Sequence, residues 1–418
     1  MRTEQEYKVA LQNNRILHTK IKILNFRFQT VEEIEGIVLD GATFSNNSTS
    51  NIRRTCNLTL LPSDNKRYSI EANSNIWIDK YVKIYIGVED QETKEVVYTN
   101  MGVYLIDNPS SVYSAVDNTL TINGVDLMSR LTGDRNGYLV NLEGVGYKVP
   151  KGSSIKGAMI AILKEFHFDK WVIEDPVSIQ GNVTATPYTP NEILISVGGT
   201  AYQLLEQLAD INSNYQMYFD VNGVFRYEMI PSGKNEPVRV DDKLWDKVVI
   251  SLNTNIDYSS VKNYIEVYGK TNDKGDTPYG LAYDDNPESP FCINGTCGVI
   301  SQVFTGGEYD NIQASVDAPT DAPFNKYSER KHMPEWYEFD SLAQQRADYE
   351  LYIRCRLQDK ITINCVPVYW LDTNWLVEIT VPNSGTQLYL IKSIDTTLGE
   401  SGTQTISLMR YYPFYPFY

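Results

Sequence analysis

One order of strand-like segments occurs twice in this chain, once in each half. Trp77-Ile78-Asp79-Lys80-Tyr81-Val82-Lys83-Ile84 leads to Tyr104-Leu105-Ile106, then to Thr119-Leu120-Thr121-Ile122 and Leu127-Met128-Ser129-Arg130. Farther on, Trp375-Leu376-Val377-Glu378-Ile379 leads to Tyr389-Leu390-Ile391, then to Thr405-Ile406 and Leu408-Met409-Arg410. Strands draw on few residue types, so any single match carries little weight. The shared order is what points to duplication: a tryptophan-led alternating strand, a Tyr-Leu-Ile strand, then a Thr/Ile strand running into Leu-Met and Arg. Two copies of one small β-unit let an assembly imitate a higher symmetry than its chain count.

The flanking text decides how the copies are housed. At 418 residues the chain exceeds what one hydrophobic core usually holds, so two to four domains are expected. Strand text runs from Ile21 to about Leu131, where Arg53-Arg54-Thr55-Cys56-Asn57-Leu58-Thr59-Leu60 alternates and Val82, Ile84 and Ile86 share one face. One apolar and one polar face implies half-buried antiparallel strands. Ile155, Ala158, Met159, Ile162 and Phe166 after Ser153-Ser154 have helical spacing, and Thr200 with Gln203 forms a capping-box pattern. Asn222-Gly223 predicts a hairpin turn. The fold class is therefore mainly β (α+β overall), with two tube-like antiparallel β-barrel domains separated by an α+β insert. Its divisions are an N-terminal arm (1–20), a first barrel (21–131), the insert (132–244) and a second barrel (245–418). The last contains a long loop (271–334), a helix (341–356) and an aromatic C-terminal tail.

Composition narrows the function. Apolar residues at 42% and charged residues at 22% indicate a folded chain. The net charge of −16 argues against a surface devoted to nucleic-acid phosphates. It suits a conduit wall from which DNA slides away, or simply solubility. The 30 tyrosines fit both strand faces and protein interfaces. The opening Met1-Arg2-Thr3-Glu4-Gln5-Glu6-Tyr7 lacks an apolar leader and no stretch approaches a membrane span, so synthesis in the cytoplasm and no membrane partner are expected. Five cysteines, an odd number, agree with a reducing compartment.

Candidate chemistry is thin. His18, His167 and His332 each stand alone, without a second ligand at zinc spacing. Cys292-Ile293-Asn294-Gly295-Thr296-Cys297 allows a disulfide clip or a metal ligand pair, and a free-thiol hairpin fits its Asn-Gly turn better. Asn272, Asp273, Asp276, Asp284, Asp285, Asn286 and Glu288 make an acidic stretch without the ordered ligands of an EF-hand. Gly198-Gly199-Thr200 is an N-cap turn rather than a phosphate loop, and no nucleophile elbow or HExxH motif occurs. No enzyme, cofactor or metal site is expected. The tail Tyr411-Tyr412-Pro413-Phe414-Tyr415-Pro416-Phe417-Tyr418 is different: its prolines exclude a helix, and its aromatic pairs are candidate partner anchors or pack on their own barrel.

Taken together, Asn51 to Leu60, Trp77 to Lys80, Gly102 to Ile106, Val125 to Leu131, Phe219 to Arg226 and Tyr389 to Ile394 resemble the trimeric baseplate hub proteins of contractile phage tails and phage-tail-like bacteriocins. The resemblance covers most of the chain and rests on strand and turn patterns, not catalytic ones. It implies a homotrimer whose two barrels per chain form a pseudo-hexameric ring, joining a hexameric tail tube protein to a trimeric central spike protein and touching other baseplate proteins. DNA would pass through the lumen without stable binding. Some such hubs carry a fused peptidase or lysozyme-like region, which the resemblance does not extend to here. A cell-wall hydrolase and a carbohydrate-binding tail-tip protein are the alternatives.

Overall fold

The computed structural model describes residues 4–412 apart from 13–14, 35, 39–40, 63–67, 115–117, 141–143, 145, 177–186, 213, 234–235, 272–274, 276, 308–341, 383 and 400. The chain opens with α1 (Glu4–Ala10), then β1 (Leu17–Leu24), β2 (Thr30–Ile34), β3 (Gly36–Val38), β4 (Thr43–Asn47), β5 (Arg54–Pro62), β6 (Tyr81–Glu89), β7 (Val96–Ile106), β8 (Ser110–Tyr113) and β9 (Asn118–Val125). A 3-10 turn (Leu127–Arg130) leads to β10 (Tyr147–Val149), α2 (Ile155–Glu165), β11 (Trp171–Ile173), β12 (Ile193–Ile195), α3 (Ala201–Asp210), β13 (Tyr215–Phe219) and β14 (Phe225–Met229). Next come α4 (Asp242–Val248), β15 (Val249–Asp257), β16 (Tyr264–Gly269), β17 (Tyr279–Tyr283), β18 (Ser301–Gly307) and α5 (Leu342–Arg354). The chain closes with β19 (Gln358–Cys365), β20 (Leu376–Val381), β21 (Gly385–Thr397) and β22 (Gln404–Arg410).

The repeated text becomes a repeated topology. The order β4-β5-β9-β7-β6 in the first half matches β15-β19-β22-β21-β20 in the second, all antiparallel. Register agrees in detail. Ile106 pairs with Gly124 and Ser110 with Thr121, so one strand advances a residue more than the other. Ile391 pairs with Leu408 and Asp395 with Thr405, with the same one-residue slip. Burial alternates alike: Cys56, Leu58 and Leu60 point inward on β5, as do Ile361, Ile363 and Cys365 on β19. Even the turns correspond. Asn47 accepts from the amide and hydroxyl of Thr49 at 3.0 and 2.8 Å, and Asp257 from those of Ser259 at 3.0 and 2.6 Å.

The two expected tryptophans do not coincide. Tyr81 pairs with Leu105 where Leu376 pairs with Leu390, which puts Trp77 opposite Asp372 and Trp375 opposite Lys80. The leading residues lie outside the strands, Trp77 in a bend and Trp375 just before β20, where it packs beside Trp370. Leu-Met also splits: Leu127-Met128 sits in the 3-10 turn, whereas Leu408-Met409 stays within β22.

Hydrogen bonding merges the units into one 14-stranded sheet, because β21 pairs with β4 over Thr43–Asn47. The first unit, extended by β1 and β2, curls around a core holding Ile21, Ile34, Phe44, Leu58 and Ile84. The second encloses Ile361, Ile363, Val377, Ile391 and Leu408. The N-terminal segment packs on its own chain: Val9 enters the first core and Ala10 the second, while Lys8 reaches Asp90 at 3.1 Å. β1 starts inside the stretch read as arm.

A third core serves the insert. Ser154 caps α2 and the capping box of Thr200 and Gln203 starts α3, whose Leu204, Leu205 and Leu208 are fully buried. Asp220 closes the hairpin over Asn222-Gly223 between β13 and β14. The same core includes Ile265, Val267, Ala282, Ala343 and Leu351, from the excursion between β15 and β19. Residues 271–334, expected as loop, thus supply β17 and β18, which flank β16 in a three-stranded sheet. Their short Gly-rich and Asp-rich neighbours hid them, and β16 with α5 supplies the partners that make them strands. The rest of that stretch, 308–334, lies outside the described residues.

Candidate assembly interface

The seam between the two units gathers buried polar groups. Arg53 precedes β5 and Arg54 begins it, both nearly inaccessible at 4% and 3% exposure. Buried arginines need partners, since an unpaired buried charge is costly. Arg54 donates to Asp372 at 2.7 Å and to the Phe219 carbonyl. Arg53 donates to the Thr373 hydroxyl at 2.9 Å and to Gln216 at 3.3 Å, and stacks on the Tyr218 ring at 3.9 Å. Asn46 donates to Asp372 at 2.8 Å and accepts from Thr373 at 3.2 Å. β5 of the first unit, β13 of the insert and the 372–374 turn of the second unit are therefore tied at one point.

Electrostatics follow from burial and neighbours. Burial opposes charge on Asp372, but Arg54, then Arg53, and bonds from Asn46 and the Thr373 amide hold its pKa below the ordinary carboxylate value. For Asp126 burial wins and raises the pKa, although its carboxylate accepts the Arg53, Arg54 and Met128 amides at 2.8, 3.0 and 2.8 Å. Lys392, next to the seam on β21, is pulled down to about 8 by burial and by the nearby Arg356 and Arg53. A cleft of about 380 Å³ lies alongside, bounded by Asn46, Arg54, Asn100, Tyr104, Asp372 and Gln404. These groups hold segments together. They join β5, β13 and the 372–374 turn through side-chain hydrogen bonds.

The candidates from sequence are scattered. His18 faces Glu89 at 3.3 Å on the outer part of β1, His167 ends the α2 turn, and His332 lies outside the described residues. Cys292 is buried and Cys297 exposed, both free thiols. Asp284 accepts the Ser289 hydroxyl and the Asn286 amide in a turn, and Asn272, Asp273 and Asp276 lie outside the described residues. Among the described residues no group of three or more His, Cys, Asp or Glu is placed to hold a metal, and no helix is long and apolar enough to cross a membrane.

Of the aromatic tail, Tyr411 is 6% exposed, packs with Leu376 and Leu390, and donates its hydroxyl to the Gly233 carbonyl at 2.5 Å. Tyr412 receives the Tyr352 hydroxyl on its carbonyl and lies beside the Arg356 and Arg410 guanidinium groups. Both are engaged within the chain, and Phe414, Tyr415, Phe417 and Tyr418 lie outside the described residues. The seam residues themselves went unrecognised in the sequence. Two adjacent arginines heading an otherwise alternating apolar strand were the available signal.

A family model described as a domain of unknown function (DUF5048) matches residues 335–415. No curated protein matches in sequence. Among solved structures, the 43 kDa tail protein of prophage MuSo2 from Shewanella oneidensis aligns with a TM-score of 0.56 at 12% identity, over 94% of this chain and 98% of that one. A tail protein from Neisseria meningitidis MC58 gives 0.55 at 11% identity, over 94% and 96%. The prophage tail protein gp18 from Listeria monocytogenes EGD-e gives 0.51 at 12% identity, over 93% and 94%. The chain has the fold of these phage tail proteins over nearly its whole length.

Proposed function

We propose that this chain is a structural baseplate hub of a phage tail or tail-like particle. Three copies form a ring of six strand units, a pseudo-hexamer that joins a hexameric tail tube to a trimeric central spike. One observation carries this reading: the same five-strand unit occurs twice with the same register, and the two copies are already joined edge to edge. A chain built this way presents sixfold-like surface on one side while its own count stays threefold. The tail-protein fold supports the setting.

The work is mechanical and electrostatic. The strand units form the ring wall, the α+β body reaches toward the spike and other baseplate proteins, and the tail beyond Tyr412 is offered to a partner groove. The net charge of −16 favours a lumen along which DNA slides without stable binding. The protein assembles in the host cytoplasm and resides in the particle. Light scattering on the purified chain, alone and with its spike protein, tests the reading. A trimer in either condition supports it, and a monomer in both contradicts it. Reversing the charge of lumen-facing acids should slow DNA ejection and leave assembly intact.

A further inference from the structure

The seam inside the chain is a template for a contact the single chain leaves open. β21 is flanked on one side by β22 and on the other first by β20, then by β4. In the first unit, β7 and β8 together take the place of β21, and β9 that of β22. β6 covers β7 as far as Leu105. Beyond it, among the described residues, no strand lies on the side of β8 where β4 lies against β21. At one end of the sheet, β15 is the counterpart of β4 and, among the described residues, pairs with β19 alone.

Side chains on both open edges behave as if a cover were missing. Phe44 on β4 is 5% exposed, in one core with Tyr369 and Leu398 of the second unit. Its counterpart on β15 is Thr254, which lies across from the buried Ile361 yet is exposed. Leu398 corresponds to Tyr113, 59% exposed. The polar contact of Asn46 with Asp372 and Thr373 changes character: Asn46 corresponds to Ile256, Asp372 to Trp77 and Thr373 to Ile78. Ile256 is 44% and Ile78 59% exposed. Two apolar groups stand at the two halves of one prospective contact, one on the β15 edge and one in the turn before β6. Exposed apolar strand edges are an association hazard unless something covers them.

We infer that β15 of one copy pairs antiparallel with the segment 108–112 of the next copy, in the register of the β4–β21 seam. Asn255 then lies opposite Ser110 and Asn253 opposite Val112, as Ser45 lies opposite Asp395 and Thr43 opposite Thr397. Ile256 packs toward Trp77 and Ile78 of the neighbour. The occupant is a second copy of this chain, which carries the matching edge, and the pairing is head to tail, which closes as a ring when three copies complete the turn. This rests on the trimeric reading and adds its register.

Cysteine pairs test it. Directly opposed residues in an antiparallel ladder have Cα atoms about 4.5–5.5 Å apart, within disulfide range, and residues two places off do not. In a background with the exposed Cys297 changed to Ser, Asn255→Cys with Ser110→Cys, and Asn253→Cys with Val112→Cys, should convert the monomer band on a non-reducing gel to a covalent trimer. Asn255→Cys with Val112→Cys, and Asn253→Cys with Ser110→Cys, should give at least tenfold less. Light scattering on each variant separates the two levels of failure. A trimer that links equally in all four, or only in the slipped pairs, overturns the register and leaves the trimer standing; a monomer overturns both. Ile256→Lys, at an exposed site, should keep the circular dichroism of the parent and lose the trimer; a trimer of unchanged stability counts against the pairing.

Discussion

Phe44 and Thr254 occupy the same place in two copies of one unit, yet the first is buried and the second exposed. The strands around them are paired alike, so the unit itself does not explain the difference. What differs is the neighbour: β4 has β21 beside it, and among the described residues β15 ends the sheet. The composition of each edge follows. The closed seam is lined by Arg54, Asp372, Asn46 and Thr373, whereas the open edges carry Ile256, Ile78 and Val112. A seam made once during folding tolerates buried charges held by several hydrogen bonds. A seam between separate chains gains more from apolar area, which needs no partner until contact is made.

Substitutions at the closed seam should have the largest effects on the isolated chain. Arg54→Met leaves Asp372 without its main cation, and loss of one partner from a buried pair costs about 3–5 kcal/mol; urea unfolding should show it as a lower midpoint. Phe44→Ala should cost about 3–5 kcal/mol through the cavity it opens, while Thr254→Ala should stay within about 0.5 kcal/mol in a monomeric variant. Equal losses at the two positions would break the comparison, because they would mean that both edges are covered within one chain.

Lys392 gives a smaller, pH-dependent effect. The unfolded chain takes its proton near the usual 10.5 and the folded chain only at about 8. Stability therefore rises as pH climbs from about 8 to 10.5, and the penalty is fully present below 8. Lys392→Met should flatten that rise by an amount on the order of 3 kcal/mol relative to the parent. A slope unchanged by the substitution would show that the seam does not disfavour this charge. The smallest effect sharpens the comparison by control: Thr200→Ala removes the α3 cap in the insert, and should cost about 1 kcal/mol while leaving assembly untouched.

Much of the architecture was legible where the pattern was local. The Tyr-Leu-Ile and Thr/Ile strands, the helix capped by Ser154 and the Thr200–Gln203 box announce themselves through alternation, helical spacing and caps. The first strand of each unit did not. Thr43–Asn47 and the second half of Val249–Asp257 are too polar to alternate, and they are strands because β5 and β19 pair with them. The seam was hidden for the same reason, since Arg54 and Asp372 are far apart in the chain and only the sheet brings them together. The tryptophans misled in the opposite sense: they repeat in the text but lie outside the strands at positions that do not correspond.

The most direct measurement of the central claim is electron microscopy of the purified assembly viewed end on. The expected image is a ring of six similar lobes whose true symmetry is threefold, with alternate junctions matching the β4–β21 seam. Rings with any other number of lobes, or particles with a single lobe pair and no ring, would contradict it.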